Sequence, residues 1–267
     1  NMRQIRAASK LIRRKQRQYE TQNLQFAEMR EDAGLKEYLD RTTFINKDGE
    51  VCEFTDLQKH DLNLVLQKRY ALLNWQQGSG KTAAVYHRAK YLLKFRKAKN
   101  VIILAPAIAT NMTWIPFLTI NKERFRTIQT AGDLNNIPEG TFLVVSTSML
   151  RKLKRGLMRF VKRTSGKLCL VFDESDEITN PTSQRTRNIL CIFRRLRYKI
   201  LDTGTTTRNN IAELYSQFEL LYNNSVNMIC WSPQVYHENR DHEIEEENNP
   251  DYGTPFPAFR ELQDRKS

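Results

Sequence analysis

Along the middle of the chain, short and wholly apolar runs alternate with longer stretches in which apolar residues recur every three to four positions. The runs are YALLNW (70–75), VIILAP (101–106), FLVVST (142–147), LCLVFD (168–173) and KILDTG (199–204). Each has the length of a strand. None shows the in–out alternation of a half-solvated strand, so both faces are expected to be covered. Between them, TAAVYHRAKYLLKF places Val85, Ala89, Leu92 and Leu93 on one helical face. Strands alternating with helices predict an α/β fold with a parallel sheet flanked by helices. In such a sheet, ligands gather beyond the carboxyl ends of the strands.

Outside that region the pattern changes. Residues 3–40 are rich in Arg, Lys, Gln, Ala, Leu and Glu without proline, and predict a helix. The stretch TTFINKDGEVCEF carries β-prone residues on both sides of Asp48-Gly49 and predicts a short hairpin. A helix is expected over LQKHDLNLVLQK, with Asp56 as its N-cap. Residues 223–267 hold four prolines and an acidic run, and predict an irregular extension. The expected division is therefore a basic helical appendage at 1–53, an α/β lobe at 54–222 and a loop-rich extension at 223–267.

Composition narrows the classes. No window approaches the roughly 18 consecutive apolar residues of a membrane span, and the basic first residues lack the apolar core of a secretory signal. The four cysteines lie far apart with no CxxC pair, and the four histidines do not join them at zinc spacing. An intracellular location, cytoplasm, nucleoid or nucleus, is the expectation. The net charge of +13 favours polyanionic partners, nucleic acid first. Residues 1–17, 151–167 and 185–199 carry seven, eight and six basic residues with no acid, whereas 236–251 carries seven acids and one arginine. The body of the chain is thus more basic than its total, and 151–167 is expected to be an amphipathic helix with Leu153, Leu157, Phe160 and Val161 inward.

Candidate chemistry sits at the ends of the apolar runs. The first leads into GSGKT (78–82). A glycine-rich turn that opens a helix presents backbone N–H groups to phosphates. Gly78, Ser79 and Gly80 form the loop, Lys81 reaches the β- and γ-phosphates, and Thr82 is placed for Mg²⁺. The generic motif has glycine six residues before the lysine, where this chain has Trp75. The fourth run ends in DESD (173–176), so that Asp173 is the candidate metal carboxylate and Glu174 the residue that orients or deprotonates the attacking water. Adjacent residues of an extended segment point apart, which suits two jobs. Thr203, Gly204 and Thr205 follow the fifth run as candidates for coupling to these acids.

Taken in order, GSGKT, APAIATNMTW, VVSTSM, FDESDEITN and TGTTTRNNIAELYSQFELL resemble the motifs of superfamily 2 helicase-like ATPases, and most resemble the Swi/Snf-type DNA translocases. The family's loop reads DEMGLGKT, with Asp where Trp75 stands. Its acid motif, DEAHRIKN, is matched at Asp173, Glu174 and Asn180, and TGTPLQNNLxELWSLLNFL is matched at Thr203, Gly204, Thr205, Asn209, Asn210, Glu213, Leu214, Ser216 and Leu221. The likeness covers about residues 57–222. It implies the N-terminal RecA-like lobe of an ATP-driven motor on double-stranded DNA, with ATP and Mg²⁺ as cofactors. A strand-separating helicase and a nucleotide-switched nucleic-acid-binding module are the alternatives. It further implies that Asn111, Trp114, Ser146, Thr147, Arg208 and Asn209 lie near a nucleic-acid backbone, although Trp114 reads equally well as a core aromatic. Where the family has an adenine-recognising Gln, this chain has Asp61, which accepts but cannot donate. Either nucleotide preference is relaxed or Gln58 substitutes. Nothing after Phe218 restarts a strand–helix pattern, so the arginine finger is expected from a second RecA-like lobe.

Overall fold

The computed structural model describes residues 30–164, 167–205 and 214–222. Five strands form on the five apolar runs: β3 (Tyr70–Leu73), β4 (Asn100–Ala105), β6 (Phe142–Ser146), β7 (Leu168–Phe172) and β8 (Tyr198–Asp202). A sixth, β5 (Phe125–Thr127), was not legible. It has three residues with Arg126 at its centre, and it exists because β6 offers it an edge. All pairings in this sheet are parallel, in the order β3-β8-β7-β4-β6-β5.

Period-two alternation sorts the strand side chains onto two faces. Val101, Ile103, Ala105, Val171 and Ile200 meet α3 (Lys81–Lys94) on one side. Ile102, Leu104, Leu170, Phe172 and Leu201 meet α5 (Leu150–Arg163), α6 (Gln184–Phe193) and α7 (Leu214–Tyr222) on the other. Double coverage is why these strands read as continuous apolar runs. In α5, Leu153, Leu157 and Phe160 are buried as expected, and the basic residues keep to the outer face.

Two helix starts differ from expectation. Helix α1 is confined to Ala33–Asp40, because the Asp32 carboxylate caps it by accepting from Leu35 N–H at 2.9 Å. The helix expected over 3–40 does not run through 30–32, and residues 1–29 lie outside the described residues. Helix α2 (Asp56–Leu66) is capped by Thr55, not Asp56. Thr55 and Gln58 form a reciprocal capping box, each side chain bonded to the other's backbone N–H.

The hairpin forms as predicted, from β1 (Thr43–Ile45) and β2 (Val51–Glu53). Asn121, just after α4 (Ile115–Ile120), bonds both the N–H and the carbonyl of Ile45, and Leu39 and Phe54 join the core beneath α3. Residues 30–53 thus pack into the same core as the lobe. The lobe also buries Arg88 of α3, which donates to the Lys68 and Arg69 carbonyls at the entry to β3. Lys199 is equally buried. Its Nζ donates to Arg194 O and Leu220 O, tying α7 to the sheet, and burial lowers its pKa to about 7.

Candidate nucleotide-binding site

The strands β3, β8 and β7 are neighbours, so the residues that follow them converge at one sheet edge. From β3 the chain turns through residues 76–80 and enters α3. Gly78 and Gly80 both sit at φ +81°, a region that side chains rarely adopt. At Gly80 an added Cβ would also lie 3.2 Å from Gln58 Nε2. Helix α3 begins at Gly80 without a side-chain cap and with no acid in its first turn. Its leading N–H groups thus point outward without a side-chain acceptor, the arrangement that binds anions. Lys81 Nζ reaches back to the carbonyls of Trp75 and Gln76 at 3.2 Å each, and Gly204 approaches it so closely that a Cβ there would lie 3.4 Å from Nζ.

Gln58 has two tasks at this loop. Its Oε1 accepts from Thr55 N–H, and its Nε2 donates to Ser79 O at 2.8 Å. Asp61 accepts from the Trp75 indole at 2.7 Å. The unusual residue in the loop and the unusual residue in α2 are therefore partners. Together they form a hydrogen bond between helix and loop.

The acids lie beside the loop. Asp173 N–H still bonds Leu104 O of β4, but Glu174 has left the strand, with φ +52° and ψ +54°. The two acids diverge through a left-handed turn rather than through the pleat of an extended segment. A non-glycine residue held there is strained, and such strain concentrates at functional sites. Thr203 Oγ1 donates to Asp176 Oδ1 at 3.3 Å, and the Thr205 N–H returns to Thr203 Oγ1. Ser175 Oγ donates to Gln217 Oε1 at 3.1 Å, linking the acid loop to α7.

Trp114 requires a correction. The side chain is 0% exposed, and its indole N–H donates to Asp173 Oδ2 at 2.7 Å. It does not face a nucleic-acid backbone. It holds the candidate metal carboxylate from inside the core. The cause is local. Pro116 lacks the N–H that would bond the carbonyl four residues back, and the preceding turn, Thr110–Trp114, widens to an i→i+5 pattern that turns the indole inward. Of the other residues expected near a backbone, Asn111 is exposed, Ser146 is half-buried and bonds Ser148 Oγ, and Thr147 is buried. Arg208 and Asn209 lie outside the described residues.

Asp202, the last residue of β8, was missed. The signal was present, since KILDTG places an acid at the end of a run that is otherwise buried. Asp202 is 1% exposed, and neither carboxylate oxygen has a hydrogen-bond donor among the described residues. Burial, and then the adjacent Asp173 carboxylate, hold its pKa well above the ordinary range. Within the described residues no group of three or more His, Cys, Asp or Glu is placed to hold a metal ion.

A parallel sheet with an uncapped, glycine-rich helix start following β3 and paired acids following β7 defines a RecA-like lobe. The chain belongs to the family described as type III restriction enzyme, res subunit, whose model matches residues 10–208. It is 27% identical over 175 residues to the ATP-dependent helicase FUN30 of Saccharomyces cerevisiae, across 61% of this chain and 15% of that protein. Two solved structures share its fold. The Sulfolobus solfataricus SWI2/SNF2 ATPase core domain aligns at TM-score 0.57 and 18% identity, covering 80% of this chain and 42% of that one. The same organism's SWI2/SNF2 ATPase core in complex with dsDNA aligns at TM-score 0.55 and 16% identity, covering 74% and 43%. The chain thus spans less than half the length of these relatives.

Proposed function

We propose that this lobe holds Mg²⁺–ATP and one stretch of double-stranded DNA backbone, and acts as half of a DNA-translocating motor that a second RecA-like lobe completes. The observation that carries the reading is the convergence of Lys81, Asp173 and Gly204 at one sheet edge, beside a helix start without a cap. The residues fit the cofactor. Gly78 and Gly80 free the loop backbone to wrap phosphates, Lys81 supplies a mobile cation, and Thr82 and Asp173 supply oxygen ligands for Mg²⁺. When bound, the metal neutralises charge that develops on the transferring phosphoryl group.

The protein's own steps follow from placement. Trp114 and the Leu104 carbonyl fix Asp173 from below and behind. Glu174, displaced by its left-handed backbone, serves as the acceptor for a proton from the attacking water. Thr203 and Thr205 tie the segment after β8 to Asp176, so the acid loop and that segment shift together. Gln58 steadies Ser79, and Asp61, braced by Trp75, is the candidate contact to the base. Asn111, after β4, and Ser146, at the end of β6, lie at the same edge, where backbone phosphates would position the lobe without reading sequence, and the buried Thr147 stands behind Ser146. Arg208 and Asn209, outside the described residues, are proposed as further contacts to the nucleic-acid backbone.

An arginine finger is worth about 10³–10⁵ in rate in phosphoryl transfer. The 267-residue chain is therefore expected to bind ATP and to turn it over very slowly. Steady-state hydrolysis, measured with and without duplex DNA, tests this. Rapid DNA-stimulated turnover by the chain alone would refute the need for a second lobe. Stimulation by single strands or RNA rather than duplex would move the reading to a strand-separating helicase.

A further inference from the structure

The most unusual group in the lobe is Asp202. It lies at the end of the strand between the phosphate-loop strand and the acid strand, with 1% exposure and both oxygens lacking a donor among the described residues. The charged groups that face it are Asp173, Glu174 and Lys81. The parallel register pairs Phe172 with Leu201, so Asp173 and Asp202 lie side by side at the ends of their strands. Two abutting carboxylates repel unless a proton or a cation lies between them. Lys81 offsets that repulsion only in part, because its Nζ also donates to the Trp75 and Gln76 carbonyls. Trp114 already occupies one oxygen of Asp173, Oδ2, and thereby fixes the orientation of the other. A buried acid without a donor thus stands beside a carboxylate aimed by a buried indole.

We propose that Asp202 joins Asp173 as a second carboxylate of the divalent-cation site, and that the pair binds the cation before nucleotide arrives. The proposal rests on the Mg²⁺–ATP reading of this edge. With one carboxylate, a lobe of this kind takes Mg²⁺ mainly through the phosphates, because Mg²⁺ dehydrates reluctantly. A second carboxylate raises the site's own affinity for a hard cation and makes it less dependent on the phosphates. Asp202→Asn is the informative variant. It keeps the shape and can still hydrogen-bond Asp173, as a proton-bridged pair would, but it removes the second negative ligand.

The test reads metal directly. Free Mn²⁺ is followed by its paramagnetic resonance signal as the chain is titrated without nucleotide. The wild-type chain is expected to take up one Mn²⁺. Asp202→Asn should bind it at least about tenfold more weakly, and its metal-free unfolding midpoint should equal or exceed that of wild type. Asp202→Leu, which replaces the buried acid with an apolar side chain, should show the same loss. Equal uptake by wild type and Asp202→Asn overturns the assignment, as does no uptake by the wild type. ATP binding in EDTA, compared between wild type and Lys81→Ala, keeps the two claims apart. If wild type binds ATP and Lys81→Ala does not, the phosphate site stands whatever the Mn²⁺ result.

Discussion

The bond from Trp114 to Asp173 makes a specific energetic claim. The indole is wholly buried, its N–H meets a carboxylate oxygen at 2.7 Å, and that carboxylate is 8% exposed. A hydrogen bond to a charged group contributes about 1.5–3 kcal/mol net, and leaving a buried carboxylate without its donor costs a similar amount. Trp114→Phe keeps most of the apolar ring while removing the donor, so its total cost should be about 2–4 kcal/mol once lost packing is included. Packing alone would also destabilise, so the single variant does not isolate the bond. A double-mutant cycle with Asp173→Ala does. Urea unfolding of the four proteins, followed by far-ultraviolet circular dichroism because Trp114 is one of three tryptophans, should give a coupling energy of about 1.5–3 kcal/mol with unchanged m-values. A coupling below about 0.5 kcal/mol would mean that Trp114 is only core packing, and that Asp173 is not held from within.

Other consequences follow from single residues. His87 is buried among Phe44, Phe54 and Tyr86, and burial lowers its pKa from 6.5 to about 4. The unfolded chain therefore binds its proton first. Stability from this group is present above pH 6.5 and falls by as much as about 3 kcal/mol as pH drops toward 4. His87→Phe should flatten that slope in a pH series of urea midpoints, and an unchanged slope would assign it elsewhere. Glu174→Gly should relieve the left-handed strain and raise stability by about 1 kcal/mol relative to Glu174→Ala, whereas Glu174→Gln should retain ATP binding and lose hydrolysis. Equal stability of the glycine and alanine variants would show that the turn stores no strain. Gly80→Ala meets both a positive φ and the Gln58 amide, and should cost at least about 1 kcal/mol and weaken ATP binding. A variant with wild-type midpoint and affinity would contradict the loop geometry.

What the sequence made legible was the part governed by burial. Strands covered on both faces must be apolar throughout, so β3, β4, β6, β7 and β8 announced themselves, and the polar residues ending them marked the site. The three-residue β5 carries too little pattern to register, because its existence depends on the edge of β6. The direction of Trp114 was also beyond reach. Its spacing suited the surface as well as the core, and only the widened turn before Pro116 decides between them. The start of α2 was misplaced by one residue because Thr55 and Asp56 are both competent caps, and the Gln58 amide selects Thr55. Asp61 and Trp75 looked like two separate departures from the family's motifs. Only the structure shows that the two are hydrogen-bonded partners.

The central claim is that the loop from Gly78 to Thr82, backed by Asp173, holds a nucleotide. Equilibrium binding of a fluorescent, non-hydrolysable ATP analogue with Mg²⁺ tests it most directly, comparing the wild-type chain with Lys81→Ala. The account predicts saturable one-site binding by the wild type and at least about a tenfold loss in the variant, the size expected when a charge-assisted contact is removed. Equal affinity in the two proteins, or no saturable binding by the wild type, would contradict it.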